Sequence, residues 1–136
     1  EGRDRRGGGG GGGRSAELAG IGGASAAAHR PDPGPDLGTA VAGRGREREL
    51  VLLAHQPRAV DDAARHGVGL LLSGHTHGGQ LWPWTYLVYL QQPYVAGLRN
   101  HQGTQIYVST GTGYWGPPMR LGTTGEITRV VLRARS

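Results

Sequence analysis

The sequence predicts an α/β fold with a mixed sheet, on three observations. Residues 49–54 and 67–73 are short, continuous apolar runs, which are typical of strands buried on both faces. Residues 58–66, between them, have helical composition, so the three segments form a strand–helix–strand unit whose strands pair in parallel. Further along the chain, residues 94–110 have the pattern of a hairpin. Parallel and antiparallel strands together make the sheet mixed.

The first third of the chain is predicted to be disordered or irregular. Residues 1–48 hold 15 of the 27 glycines and no aromatic residue, so they lack the large apolar side chains that offset the entropy of ordering a chain. Residues 1–15 are a Gly/Arg low-complexity tail. Residues 16–48 are an irregular Ala/Gly/Pro-rich segment that could contain a short helix over residues 37–42, capped by Asp36. Only the part from residue 49 to residue 136 is expected to build a core.

Local signals set the bounds of the strand–helix–strand unit. Pro57 follows the first strand and suits the first turn of a helix. Along residues 58–66 the acidic side chains come early and the basic ones late, as the helix dipole favours. Gly67 is a natural C-cap, and the second strand leads into a glycine-flanked loop at residues 74–80.

The elements after this loop are predicted to be mainly β. Residues 94–100 and 104–110 are strands joined by a turn at residues 101–103, and residues 126–134 alternate well enough to form a terminal strand. The aromatic run at residues 80–90 has two interpretations. A core segment or substrate-groove wall is favoured, because aromatic side chains dominate burial; the alternative is a lipid-facing surface.

Composition excludes several classes of protein. Without cysteine the chain has no disulfide framework, no thiolate metal site and no cysteine nucleophile. No apolar run reaches the 18 or so residues of a membrane span, and the N-terminus lacks the apolar region of a secretory signal. The net charge is +5, but the arginines after residue 50 are scattered and form no dense stripe, so no nucleic-acid partner is expected. The compartment is left open.

Histidines carry the strongest chemical signal. His55 follows the first predicted strand, and His75 and His77 follow the second. Carboxyl ends of adjacent parallel strands face one crevice, so the three imidazoles are expected to converge there and to bind a metal such as Zn, Mn or Fe. Nearby glycines allow close backbone approach to a ligand: Gly74, Gly78 and Gly79. No carboxylate that could bridge two cations lies near these histidines in the sequence.

Two stretches carry a family resemblance. LLAHQPRAVDDAARHGVGLLLSGHTHGGQLWP (52–83) resembles the C-terminal part of a calcineurin-like metallophosphoesterase, and GTQIYVSTGTGYWGPPMRLGTTGEITRVVL (103–132) resembles the tail of its membrane-associated branch, which is widespread in bacteria. The resemblance covers residues 49–136, with a weaker continuation back to Ala16. It implies the C-terminal half of a layered α/β sandwich with a mixed sheet. It also implies a hydrolase that uses two divalent metal ions (Mn, Zn, Fe or similar) and metal-activated hydroxide to cleave a phosphate ester or pyrophosphate.

The resemblance also implies residue roles. His55 and His75 would bind the second metal and His77 the first. The three glycines of the loop would shape the phosphate site, and Gln80 and Arg120 would contact the substrate. That substrate would be a phosphorylated small molecule or a glycolipid.

The chain departs from the family pattern in its first third. The family's Asp-x-His, Gly-Asp and Gly-Asn-His-Asp/Glu motifs are absent from residues 1–48, where Asp32, Asp36 and His29 lack the expected neighbours. No catalytic residue is therefore expected within this chain, which we interpret as an inactive fragment of a longer enzyme. Its partner would be the missing N-terminal half of the domain, and an upstream segment would provide membrane association. The alternatives are a non-catalytic metal-binding or structural remnant and, third, a nucleic-acid binder that uses the Arg/Gly tail.

Overall fold

The computed structural model describes residues 16–21, 37–45 and 47–133. The predicted Gly/Arg tail, the Asp36 cap, and the residues His29 and Asp32 all lie outside these ranges. Within them, no helix is long and apolar enough to cross a bilayer.

A mixed five-stranded sheet forms the centre of the molecule, which confirms the predicted α/β class. Its strands lie in the order β1-β2-β3-β5-β4. Three neighbouring pairs are parallel, and β4 pairs antiparallel with β5. The strands have these bounds: β1 Ala16–Ile21, β2 Glu49–Ala54, β3 Leu70–Ser73, β4 Gly97–His101 and β5 Thr104–Val108.

The predicted strand–helix–strand unit is present. Pro57–Ala59 form a 3₁₀ turn that leads into helix α2, Val60–Arg65, with Asp61 and Asp62 in its first turn. Gly67 adopts a φ of +67°, the left-handed conformation that a glycine C-cap provides. The helix therefore begins and ends close to its sequence signals.

One row of side chains across the sheet anchors the core. Leu52 lies opposite Leu71, which lies opposite Ile106, and all three are fully buried. From α2, Val60 and Ala63 pack against this cluster. At roughly 25 cal/mol per Å² of buried apolar surface, such a row is the main stabilising element of a small sheet.

The interpretation of residues 16–48 as irregular is wrong for residues 16–21. They form β1, which pairs with β2 along six residues, from Ala16 opposite Glu49 to Ile21 opposite Ala54. No β1 residue is fully buried; backbone pairing with β2 orders the strand, and the partly buried Ala19 and Ile21 pack against the core. The short helix is present as α1, Leu37–Ala40, and its Leu37 is buried in the core.

Two other sequence expectations fail. Residues 126–133 form no strand and pair with no edge of the sheet, and their apolar side chains are exposed: Ile127 is 91% exposed and Val131 58%. The core interpretation of residues 80–90 is also wrong. That stretch contains helix α3, Thr85–Gln91, which has no buried residue.

Candidate metal centre

The carboxyl ends of β2 and β3 bring two histidines into contact. His55 follows β2 directly, and His75 lies two residues beyond β3. The His55 carbonyl accepts hydrogen bonds from the Gly74 N–H at 3.3 Å and the Ser73 hydroxyl at 3.3 Å, so the strand ends are fixed to each other. A hydrogen bond of 2.8 Å joins His55 Nε2 to His75 Nδ1, with the rings edge to face at 66°.

A cavity lies at this edge of the sheet, and all three histidines line it. The remaining lining residues are Thr76, Val88, Gln91, Gln92 and Trp115. The predicted convergence of the three imidazoles at this sheet edge is therefore found. Their roles as metal ligands remain predictions.

The loop that carries His75 and His77 has an unusual backbone. His75, His77 and Gln80 have φ values of 70°, 49° and 52°, in the left-handed region that disfavours side chains. Each residue in this conformation raises the free energy of the folded state by about 1 kcal/mol or more, so contacts with neighbouring segments must hold the loop in place. One of these contacts comes from Thr76, which is 4% exposed and donates its hydroxyl proton to the Val95 carbonyl at 2.7 Å.

Gly79 is required by packing. A Cβ at Gly79 would lie 2.6 Å from the backbone of Thr85, the first residue of α3, and φ is +85°. A Cβ at Gly78 would lie 3.0 Å from Thr110 Cγ2, whereas at Gly74 the nearest atom is 3.9 Å away. Close approach of neighbouring segments thus explains Gly79 and Gly78, and their predicted contribution to a phosphate site stays a prediction.

Gln80 is fully buried and its amide is engaged by the backbone. Nε2 donates to the Trp115 carbonyl at 2.7 Å and the Pro117 carbonyl at 3.3 Å, while Oε1 accepts the Trp115 N–H at 2.7 Å. These bonds tie the histidine loop to residues 115–117. The geometry favours a positioning role over the substrate contact that the sequence predicts.

Arg120 is a second brace between loops. Its guanidinium donates to the carbonyls of His77 at 3.1 Å, Thr110 at 2.8 Å, Gly111 at 3.1 Å and Gly113 at 2.5 Å. One guanidinium nitrogen also lies 3.4 Å from His77 Nδ1. A fork of five N–H donors suits this multiple contact, which a lysine could not reproduce. Arg120 therefore holds the backbone of His77 in position.

The pKa values of two of the imidazoles are lowered, mainly by burial. Burial lowers the pKa of His75, and the neighbouring His55, His77 and Arg58 lower it further. Burial also lowers the pKa of His77, with Arg120 as the second cause. Neutral imidazole is the form that binds metal ions, so both shifts favour ligation at neutral pH.

The histidines fit part of a metal site. Two nitrogen ligands around a tetrahedral ion lie about 3.3 Å apart, given metal–nitrogen bonds near 2.0–2.1 Å. The 2.8 Å separation of His55 and His75 needs only a small ring movement to match this spacing. Among the described residues, however, no group of three or more His, Asp or Glu side chains is arranged so that it could hold a metal ion.

The three carboxylates from residue 50 onward bind partners outside the histidine cavity. Asp61 bonds His101 Nε2 at 2.8 Å, Asp62 pairs with Arg65 at 3.1 Å, and Glu126 accepts the Tyr107 hydroxyl at 2.8 Å. None of them lines the histidine cavity.

Sequence reasoning missed Gln92 as a residue of the cavity. It is 7% exposed, and no donor among the described residues reaches its Oε1. Buried acceptors are normally hydrogen-bonded, so an unpaired one in a cavity wall favours a missing ligand or chain segment there. No motif marks Gln92 in the sequence. Thr76, in contrast, lies between the two histidines of the motif and could have been found.

Several known proteins are similar to this chain in sequence. A "Transmembrane protein with metallophosphoesterase domain" from Danio rerio is 46% identical over 120 residues, which cover 85% of this chain and 28% of that protein. An "Uncharacterized metallophosphoesterase" from Helicobacter pylori strain J99 is 47% identical over 100 residues, covering 72% of this chain and 27% of that protein. The Bos taurus transmembrane protein with the same domain is 46% identical over 109 residues, covering 78% and 24%.

This chain belongs to the calcineurin-like metallophosphoesterase family. It spans about a quarter of the length of these relatives, and the similarity covers its C-terminal part. No family model matches the metallophosphoesterase chain. No solved structure matches it either. His55, His75 and His77 all lie within residues 52–83, one of the two stretches that carry the family resemblance.

Proposed function

We propose that this chain supplies the histidine side of a dinuclear metallophosphoesterase site that hydrolyses a phosphate ester or pyrophosphate. The observation that carries the proposal is the convergence of His55, His75 and His77 on one cavity at the carboxyl edge of β2 and β3. The names of the curated relatives support the reaction class.

Each histidine has a role in this proposal. His55 and His75 would hold one divalent ion and His77 the other, with Mn, Zn and Fe all compatible with imidazole ligands. When bound, such ions would supply Lewis acidity and lower the pKa of the attacking water. Arg120 holds the His77 backbone in place, and the fully buried Gln80 fixes the facing loop.

The remaining ligands would come from outside the described residues. Two cations in one site need a bridging anion, and the carboxylates of the second half point to other partners. The unpaired Gln92 Oε1 in the cavity wall also favours an incomplete site. We infer that an N-terminal half of the domain supplies these groups and the catalytic residues, and that the 136-residue chain alone is inactive.

Substrate class and membrane attachment are parts of the same proposal. A phosphorylated small molecule or a glycolipid phosphate would be the substrate. Two relatives carry "Transmembrane protein" in their names, which supports membrane association of the family. We propose that an upstream segment would provide it for the complete protein.

The test compares metal binding and turnover. Zn²⁺ and Mn²⁺ affinities would be measured for the chain extended by its own upstream coding sequence, for the His75→Ala/His77→Ala variant and for a His66→Ala control. His66 bonds α2 and lies outside the cavity, so its removal should leave affinity unchanged. The proposal expects the double variant to lose metal binding and phosphatase activity. Unchanged affinity and rate would contradict it.

A second candidate is a non-catalytic metal-binding or structural remnant of the fold. The observation that favours it is the absence of any carboxylate from the histidine cavity among the described residues. Phosphatase activity of this 136-residue chain with added Mn²⁺ would refute it. An extended protein that binds metal and shows no turnover would support it.

A further inference from the structure

Gln92 is buried beside the histidine cavity and has an unused hydrogen-bond acceptor. It lines the cavity, it is 7% exposed, and no donor among the described residues reaches its Oε1 atom. Buried polar atoms in native proteins nearly always have a partner, because an unpaired one lowers the stability of the fold. A ligand that donates a hydrogen bond to Oε1 would account for an acceptor at this place.

The segment that carries Gln92 is anchored on both sides. The Gln92 N–H donates to the Val88 carbonyl at 2.9 Å, at the end of α3. Three residues further on, the Val95 carbonyl accepts the hydroxyl proton of Thr76, a residue of the histidine loop, at 2.7 Å. The backbone of Gln92 is therefore fixed relative to the histidines.

Apart from the histidines, the cavity is lined by neutral residues. They are Thr76, Val88, Gln91, Gln92 and Trp115, and no Arg, Asp or Glu of the described part of the chain lines the cavity. A phosphate group held at the histidines leaves the rest of the substrate in contact with these neutral residues. They suit an uncharged group that is partly apolar and partly polar.

Trp115 provides the apolar surface among these residues. It is 53% exposed, although both of its backbone polar groups are bound by the Gln80 amide, the N–H by Oε1 and the carbonyl by Nε2, each at 2.7 Å. A tryptophan whose backbone is held in this way needs little further ordering to receive a ligand. The C–H groups of an alcohol can pack against its indole ring while a hydroxyl of the same alcohol reaches an amide.

We propose that Gln92 and Trp115 form a leaving-group subsite that selects phosphate esters of hydroxylated, uncharged alcohols. This inference rests on the proposed phosphoesterase function and narrows its substrate class. Hydrolysis breaks the bond between phosphorus and the alcohol oxygen; water supplies the hydroxyl group that phosphorus gains and the proton that the departing alcohol gains. Gln92 is the specificity-determining residue, because its Oε1 accepts a hydrogen bond from a second hydroxyl of that alcohol. An alcohol without this hydroxyl leaves the buried acceptor unpaired and is bound less well.

A pair of three-carbon esters tests the selectivity. Glycerol 1-phosphate and n-propyl phosphate have the same carbon chain and differ by two hydroxyl groups. For the chain extended by its own upstream coding sequence, we expect kcat/KM to be about tenfold or more higher for glycerol 1-phosphate. In Gln92→Leu, whose side chain has a similar volume and no acceptor, the ratio of the two values should fall to about one.

Two further variants separate the parts of the subsite. Gln105→Leu makes the same chemical change at an exposed residue of β5 outside the cavity lining, and should keep the wild-type ratio. Trp115→Ala removes the ring that packs against the carbon chain, which both esters share. It should lower kcat/KM about threefold or more for each ester and leave their ratio unchanged.

Stability provides a readout that needs no turnover. Gln92→Leu replaces a buried, unpaired amide oxygen by apolar groups, so the urea midpoint of the 136-residue chain should rise or stay unchanged. A lower midpoint would show that Oε1 has a partner within the chain, and would overturn the subsite.

The kinetic outcomes separate this inference from the proposed function. Equal kcat/KM values for the two esters in the wild type, or an unchanged ratio in Gln92→Leu, would overturn the subsite and leave the phosphoesterase proposal standing. Equal values together with a lower urea midpoint of the extended Gln92→Leu variant would assign Oε1 to a donor from the upstream half, and would also overturn it. Turnover of neither ester would contradict the phosphoesterase proposal, and the subsite would fall with it.

Discussion

The sheet and the loops at its carboxyl edge are held by different forces. Across the sheet, the row Leu52–Leu71–Ile106 is fully buried and apolar. Above it, the histidine loop has three non-glycine residues at positive φ and is held by polar bonds from Gln80 and Arg120 to backbone carbonyls. The sheet therefore determines where the loop starts, and a few hydrogen-bonding side chains determine the direction of His77.

The largest effect is expected from a substitution in the apolar core of the sheet. Leu71→Ala removes a fully buried side chain and should lower the free energy of unfolding by about 3 kcal/mol, because it leaves a cavity among packed neighbours. Urea denaturation would measure it. Leu98→Ala, at a side chain 55% exposed on β4, is the control and should change stability by less than about 0.5 kcal/mol. Equal losses in both variants would contradict the assigned core.

An intermediate effect is expected from the loop brace. Arg120→Lys keeps the charge but cannot serve the carbonyls of His77, Thr110, Gly111 and Gly113 together. We expect Zn²⁺ affinity to fall about tenfold, as for other residues that orient ligands, and the urea midpoint to fall as well, because several hydrogen bonds that hold the loop are lost. Arg99→Lys, whose guanidinium bonds only the adjacent Leu98 carbonyl among the described residues, should leave both readouts unchanged. A lower midpoint with unchanged affinity would show a purely structural role.

The smallest effect concerns Glu126, which ties the last segment to the sheet. Hydrogen bonds from the Tyr107 hydroxyl and then the Thr110 N–H lower the pKa of its carboxyl. Because the pKa of Glu126 is lower in the folded protein than in the unfolded one, its hydrogen bonds stabilise the folded state at pH values above the ordinary pKa of about 4.3. This stabilisation is lost as the pH falls through the folded pKa. Hydrogen exchange at the Thr110 amide should therefore gain protection as pH rises through this range, beyond the intrinsic pH dependence.

Glu126→Gln is the matched control for this pH effect. Its amide cannot ionise, so the pH-dependent protection at Thr110 should vanish while exchange in β3 stays as in wild type. Identical pH profiles in the two proteins would contradict the role of the carboxylate.

Sequence patterns predict the buried strands well and the edges poorly. β2 and β3 follow from apolar runs, and the histidine cavity follows from their parallel pairing. β1 was missed because it pairs at the edge of the sheet and only Ala19 and Ile21 pack against the core, which is too short an apolar pattern to mark a strand. The terminal strand failed for the converse reason: residues 126–133 have the alternating pattern of a strand, but they pair with no strand among the described residues.

Site details escaped the sequence for a similar reason. The side chains of Gln80 and Arg120 carry N–H donors of the kind that contact substrates, but in the structure these donors bind backbone carbonyls. For Gln80, the Trp115 carbonyl that it binds is more than thirty residues away in the sequence. Long-range pairing of this kind is decided by the fold. The aromatic run at residues 80–90 has the composition of a core, and only its exposure distinguishes it from one.

The central claim is that His55, His75 and His77 belong to one dinuclear metal site. The most direct measurement is nitrogen NMR of the imidazole rings while the chain, extended by its own upstream coding sequence, is titrated with Zn²⁺. We predict that the ring signals of these three histidines shift at lower Zn²⁺ concentrations than those of His66 and His101, which are engaged by Asp62 and Asp61. Simultaneous shifts of all five rings, or none at millimolar Zn²⁺, would contradict the account.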